Sequence, residues 1–249
     1  PLDALTVIYD AQQATDDEDQ SERLKGYMQA FGGSFIPANR RGLLNTMAHN
    51  RMYVHGGKFT AFTKNRSETR SNETGAAALL ALVSDKGPIV RVSDKQVVNA
   101  AHYRRAYVHS DEAVFIRPKH TDRIRLNAEG DLDASKVEIF DKLEQRGWFS
   151  PAGEGRSSSQ IFRPAAYRRA YFHGNDLTLS YTGSTDRITL ESEETAKDAV
   201  SRLSDERGWV KAGDKYALNA FAYRRASQRN GNLYLSYGRS SDSNIVLPE

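Results

Sequence analysis

Two periods alternate along the chain. From Asp186 to Glu191 apolar and polar residues take turns, which predicts a strand. After Ser192 the apolar residues Ala196, Ala199, Val200 and Leu203 recur at helical spacing until Gly208 and Trp209. That pattern predicts a helix of about 15 residues, with Ser192 as its N-cap and Gly208 as its stop. The stretch before it does the same with Val137, Ile139, Phe140 and Leu143, ending at Gly147-Trp148. Short strands are expected at Trp148 to Ser150 and Trp209 to Lys211, and a closing strand at Leu233 to Tyr237. Between them runs Ala-Tyr-Arg-Arg-Ala, rich in good helix formers. With Asp214 as a cap before it and Asn230-Gly231 after it, the segment reads as a second helix.

The same words recur. Ala101 to His109, Ala166 to His173 and Ala222 to Ser227 share the Tyr-Arg-Arg-Ala core, and Ala48 to His55 is a degenerate copy. Thr121 to Leu126 and Thr185 to Leu190 nearly coincide, as do Leu177 to Tyr181 and Leu233 to Tyr237. Spacings of about 54, 64 and 56 residues suit a small supersecondary unit duplicated in tandem. The expected fold is therefore α+β: four tandem repeats of a strand-helix-strand-helix-strand unit, over 1–65, 66–120, 121–184 and 185–249. The first is degenerate and acidic, with Asp16 to Gln20 opening its first helix. Arg66 to Glu73 and Gly153 to Ser159 read as exposed loops.

Composition changes this picture in two ways. The 249 residues include no cysteine, which removes disulfides, thiolate metal sites and thiol catalysis. The net charge is only +3, but it is unevenly placed. Residues 1–30 hold seven carboxylates against Arg23 and Lys25, a net of −5, which leaves +8 on residues 31–249. No apolar run is long enough for a membrane helix, and no leader pattern follows Pro1, so a cytoplasmic mature or excised chain is expected.

The double arginines are the candidate chemistry: Arg104 with Arg105, Arg168 with Arg169, Arg224 with Arg225. On a helix the second of each pair falls inside the apolar stripe. Arg105, Arg169 and Arg225 are then structural, bonded to carboxylates such as Asp122 and Asp186. The first of each pair, Arg104, Arg168 and Arg224, could line up as an anion-binding row, with Tyr103, Tyr167 and Tyr223 beside it for base stacking. Alternatively these tyrosines pack against a neighbouring unit with their hydroxyls in water. His55, His109 and His173 repeat near the end of the second helix, where they suit the helix dipole better than a shared metal. No metal site or cofactor is expected.

No phosphate-cradling loop, HExxH or glycine-flanked serine occurs, and four similar surfaces suit binding better than an asymmetric active site. The expectation is a non-enzymatic binding protein. Its partner is nucleic acid or a protein, with no small-molecule substrate evident. The order Asp186-Arg187-Ile188-Thr189-Leu190, Ala196 to Leu203, Gly208-Trp209 and Ala222 to Ala226, repeated over 122–170, resembles the large polyvalent protein-associated domains. These are small α+β modules of conjugative relaxases and of phage and plasmid proteins. The resemblance covers about half the chain, includes no catalytic residue, and implies a setting in mobile genetic elements.

Overall fold

The computed structural model describes residues 35–39, 42–55, 58–63, 67–71, 83, 87–93, 95–126, 132–153, 160–229, 232–237 and 240–246. The chain divides into two compact units, one of residues 1–102 with 124–135 and one of residues 103–123 with 136–249. The fold is mixed α+β and mostly antiparallel sheet.

In the first unit, β1 (Phe35–Asn39) and β2 (Gly42–Asn45) form a ribbon. A five-stranded sheet follows, from β3 (Arg51–His55), β4 (Lys58–Phe62), β5 (Ser67–Ser71), β6 (Ile89–Ser93) and β7 (Gln96–Asn99), in the order β5-β4-β3-β7-β6. Leu44, Met52, Phe59, Ala61, Ile89 and Val97 make its core. The expected loop at Arg66 to Glu73 therefore contains a strand. Ser67–Ser71 carries no apolar residue, so no alternation reveals it, and it is held by pairing with β4.

The second unit begins with β8 (Arg105–His109), β9 (Glu112–Arg117), β10 (His120–Arg125) and β11 (Gln160–Phe162), in the order β10-β9-β8-β11. Next come β12 (Arg169–His173), β13 (Asp176–Tyr181), β14 (Ser184–Thr189), β15 (Trp209–Lys211) and β16 (Tyr216–Asn219), ordered β14-β13-β12-β16-β15. A three-stranded sheet of β17 (Arg225–Arg229), β18 (Asn232–Tyr237) and β19 (Ser240–Val246) ends the chain. Two helices are described, α1 (Leu132–Glu144) and α2 (Glu193–Asp205). The Ser192 hydroxyl caps α2 by accepting from the Thr195 amide at 3.1 Å, as its sequence predicts. Ala196, Ala199, Val200 and Leu203 then bury the helix against Ala170, Leu177, Leu179, Ile188 and Ala217 of the five-stranded sheet.

The expected second helix is a strand in every copy described. Residues 105–109, 169–173 and 225–229 are β8, β12 and β17. In β12 Ala170 and Phe172 are buried while Arg169 and Tyr171 are half-buried and His173 exposed, a period of two. Asp214 lies in an exposed bend before β16, and Asn230-Gly231 is outside the described residues, as is Asp16 to Gln20. His55, His109 and His173 stand at hairpin corners, exposed, opposite Lys58, Glu112 and Asp176. Of the expected strand at Trp148 to Ser150, only Phe149 pairs, as a bridge to Phe162.

A fourfold repeat of the expected unit is not evident. What recurs is a shorter run: a short strand, a 3-10 turn, then three strands joined by hairpins. The turns are Thr46–Ala48, Ala100–His102, Pro164–Ala166 and Ala220–Ala222. The short strand of one run completes the sheet of the run before it. Thus Val98 pairs with Arg51, Phe162 with Arg105 and Leu218 with Arg169, at one common register. No described helix is long and apolar enough to cross a membrane.

Gly147 and Gly208 follow the two helices with φ of 75° and 87°, a region that costs an L side chain about 1 kcal/mol or more. A Cβ on Gly147 would meet open space, whereas one on Gly208 would run into the Phe221 ring. Phe221 is exposed and can turn aside, so Gly208→Ala and Gly147→Ala should each lower the unfolding free energy by about 1 kcal/mol, measured side by side by chemical denaturation.

Candidate nucleic-acid interface

The first arginine of each pair occupies one backbone position. The amides of Asn50, Arg104, Arg168 and Arg224 donate to the carbonyls of Phe62, Ile116, Ser180 and Ser236. The carbonyls of Asn50, Arg104 and Arg168 accept from Asn99, Arg163 and Asn219. Each such residue pins a hairpin to the short strand of the next run.

Their side chains meet different ends. Arg104 is internal: its Nε donates to Asp186 Oδ2 at 2.7 Å and its Nη2 to Oδ1 at 3.4 Å, with the two side chains only 11% and 9% exposed. The Tyr181 ring covers the guanidinium at 4.3 Å. The Tyr167 hydroxyl donates to the same Asp186 oxygen at 2.7 Å. Burial would raise the Asp186 pKa, but the Arg104 and Tyr167 hydrogen bonds and the charges of Arg104 and Arg105 hold it below the usual carboxylate range. Burial, then the Asp186 charge, pushes the Tyr167 hydroxyl far up. Tyr103 repeats the contact with Asp122 at 2.9 Å, and there Arg117 from the same hairpin supplies the cation at 3.1 Å.

These placements correct the expected roles. Tyr103 and Tyr167 are fully buried and Arg104 is committed to Asp186, so none of the three presents a surface to a ligand. Arg168 is half-buried and donates to Thr182 Oγ1 at 2.7 Å, while Tyr223 packs against Ala212, Leu218 and Leu235. Arg224 is exposed. Among the expected structural arginines, Arg105 bonds the Arg187 carbonyl at 3.2 Å rather than a carboxylate, Arg169 lies 5.7 Å from the Tyr171 ring, and Arg225 is exposed. The helical wheel put the second arginine inside; the two-residue period of a strand turns it outward.

The outward face of the five-stranded sheet collects residues that the sequence did not single out together. Tyr216, Tyr171, Thr178 and Arg187 lie in one row across β16, β12, β13 and β14. The two tyrosine rings are 5.6 Å apart and tilted by 34°. Arg187 is 70% exposed and 3.6 Å from Asp176, a weak surface pair. In the next row Leu218 is covered by Leu235 of β18, and Tyr216 packs against that cluster. Thr178 is buried, so the row is open at Arg187 and half-open at Tyr171 and Tyr216. The signal that could have found this row was the hairpin turn Gly174-Asn175, which sets strand register and hence parity.

The helical side of the unit is different. A cleft of about 820 Å³ lies between α2 and the end of α1, lined by Trp148 and Phe149 and by Glu144, Glu194, Asp198 and Glu206. Its cation, Arg202, is already engaged by Asp198 at 2.8 Å and the Ser150 and Pro151 carbonyls at 3.2 and 2.9 Å, over the Phe149 ring. No group of three or more histidines and carboxylates that could hold a metal occurs among the described residues.

Arg104→Ala would leave a buried carboxylate without its cation, and should destabilise the protein by about 3 kcal/mol. Arg168→Ala, which loses an exposed hydroxyl partner, should cost under about 1 kcal/mol. Because the folded Asp186 pKa is depressed, its stabilisation is complete above the ordinary value near about 3.9 and is lost as pH falls through the folded value. Asp186→Asn should remove that part of the acid-induced loss, read from unfolding free energies between pH 7 and pH 2.

No family model matches the chain, and no curated protein does. One solved structure is similar, described as the LytTr DNA-binding domain of a response regulator from Bacillus cereus. It is 11% identical, aligns over 44% of this chain and 94% of its own, and superposes with a TM-score of 0.31. A likeness at that level identifies no shared function.

Proposed function

We propose that the chain is a non-catalytic binding protein that engages nucleic acid through exposed arginines and tyrosines on its sheets. The observation that carries this reading is the row of half-buried Tyr216 and Tyr171 and exposed Arg187 on one sheet face, with Arg224 and Arg225 also exposed. Cations paired with aromatic faces suit a phosphate backbone and its bases. The charge of +8 on residues 31–249 supports it, and the acidic residues 1–30 would restrain nonspecific association. The recurring strand runs suit a tandem-repeat binder. The resemblance to large polyvalent protein-associated domains supports a phage or conjugative-element setting. The cleft of Glu144, Glu194, Asp198 and Glu206 favours a second reading, a protein-interaction or structural module that takes a basic segment of a host protein.

Fluorescence anisotropy with labelled DNA and RNA tests the first reading. Binding should be micromolar or better, on the order expected for backbone contacts, and should weaken steeply as salt rises. Replacing Arg187, Arg224 and Arg225 by alanine should flatten the salt slope by about 0.7 to 0.9 per lost contact, and deleting residues 1–30 should tighten binding. Salt-independent affinity would refute it. The second reading predicts that the arginine variant is silent and that Glu194→Lys with Glu206→Lys abolishes capture of a basic peptide.

A further inference from the structure

The charge distribution of the second unit separates duplex from single-stranded partners. A duplex is read by inserting a helix or a narrow ribbon into a groove walled with phosphates. Here α1 exposes Glu138, Asp141 and Glu144, and α2 exposes Glu193, Glu194, Asp198 and Asp205 against Lys197. Both helices would repel the groove walls. One face of the sheet has the opposite character: half-buried Tyr216 and Tyr171 and exposed Arg187 lie in one row across it, with Thr178 buried between Tyr171 and Arg187.

Resting on the nucleic-acid reading above, we infer that this face is a platform for single-stranded nucleic acid. Bases stack on Tyr171 and Tyr216, and the phosphate backbone is held by Arg187. Three observations fit. Both rings are half-buried, so each is fixed at its root and offers part of its surface outward. At 5.6 Å between centroids the rings form one aromatic step rather than two isolated sites. Arg187 lies two strands from Tyr171, about 10 Å away at ordinary strand spacing, so a chain stacked on the tyrosine has its backbone within the reach of an exposed guanidinium. Asp176 is the opposing charge on this face. Its contact with Arg187 is long, 3.6 Å, and exposed, so a phosphate displaces it at little cost. A duplex cannot use the rings, because its base faces are hidden in the stack. Stacking also predicts tolerance of base sequence.

The test compares a 20-nucleotide oligo-dT with a duplex of the same length, on the full chain, by anisotropy at fixed salt. The single strand should bind about tenfold tighter or more, and Tyr171→Ala with Tyr216→Ala should erase that preference. Tyr171→Phe with Tyr216→Phe should retain it, because stacking needs the ring and not the hydroxyl. Arg187→Glu, at a position exposed to solvent, should weaken single-strand binding without lowering thermal stability. Should the alanine pair fail to fold, ultraviolet cross-linking of bromodeoxyuridine strands to the unaltered chain should still label peptides carrying Tyr171 or Tyr216. Equal affinity for both forms, or labelling confined to other peptides, overturns the platform and leaves nucleic-acid binding standing. Absence of binding to any DNA or RNA overturns both.

Discussion

The Asp186 carboxylate is the point on which the second unit turns. It lies nearly out of water, where an uncompensated charge would cost several kcal/mol. It is satisfied by Tyr167, at the entry to its own sheet, and by Arg104, at the entry to the neighbouring one. The ion pair therefore ties the four-stranded sheet to the five-stranded sheet with a direction that apolar packing alone does not supply. The solution is imperfect: Arg104 Nη1 is buried with no hydrogen-bond partner, and the Tyr181 ring above the guanidinium offsets part of that loss. Such a centre tolerates little rearrangement, and the parity of everything beyond it follows. With Arg104 inside, the strand that starts at Arg105 must place Ala106 and Val108 inward and Tyr107 and His109 outward.

The two helices were legible because their signals are local. A hydroxyl cap, apolar spacing and a glycine before tryptophan all lie within one window, and each describes the helix by itself. The Tyr-Arg-Arg-Ala strands were not legible for the opposite reason. Alanine and arginine favour helix, five residues fit either period, and the interactions that decide between them come from later in the chain. For β12 these are Asp176 to Ser180 on one side and Tyr216 to Leu218 on the other. Evidence did exist nearby. Ser110-Asp111 and Gly174-Asn175 form two-residue corners after their copies, and such turn-forming pairs in sequence mark hairpins rather than helix ends.

The candidate site was half legible. The recurrence of arginine and tyrosine coincides with one backbone position, since the amides of residues 50, 104, 168 and 224 make the same bond. It did not reveal which side chains face a ligand. That depends on strand parity and on whether the next run delivers a carboxylate. Asp186 meets Arg104, whereas Asp122, whose preceding run holds Asn50, draws Arg117 from its own hairpin instead. Repetition of sequence thus preserved backbone geometry while side-chain roles diverged.

That divergence bears on what the unit can bind. Once Arg104, Tyr103 and Tyr167 are consumed by internal bonding, Tyr171, Tyr216 and Arg187 are left on one face because antiparallel partners share it. Exposed carboxylates crowd α1 and α2, the latter with its apolar side spent on the core, while Asp176 stays on the sheet face. A polyanion and a polycation would therefore be drawn to different elements of one unit, the first to sheet and the second to helices. On the proposed function, electrostatics would orient either partner before any specific contact formed, through the pattern that first built the core.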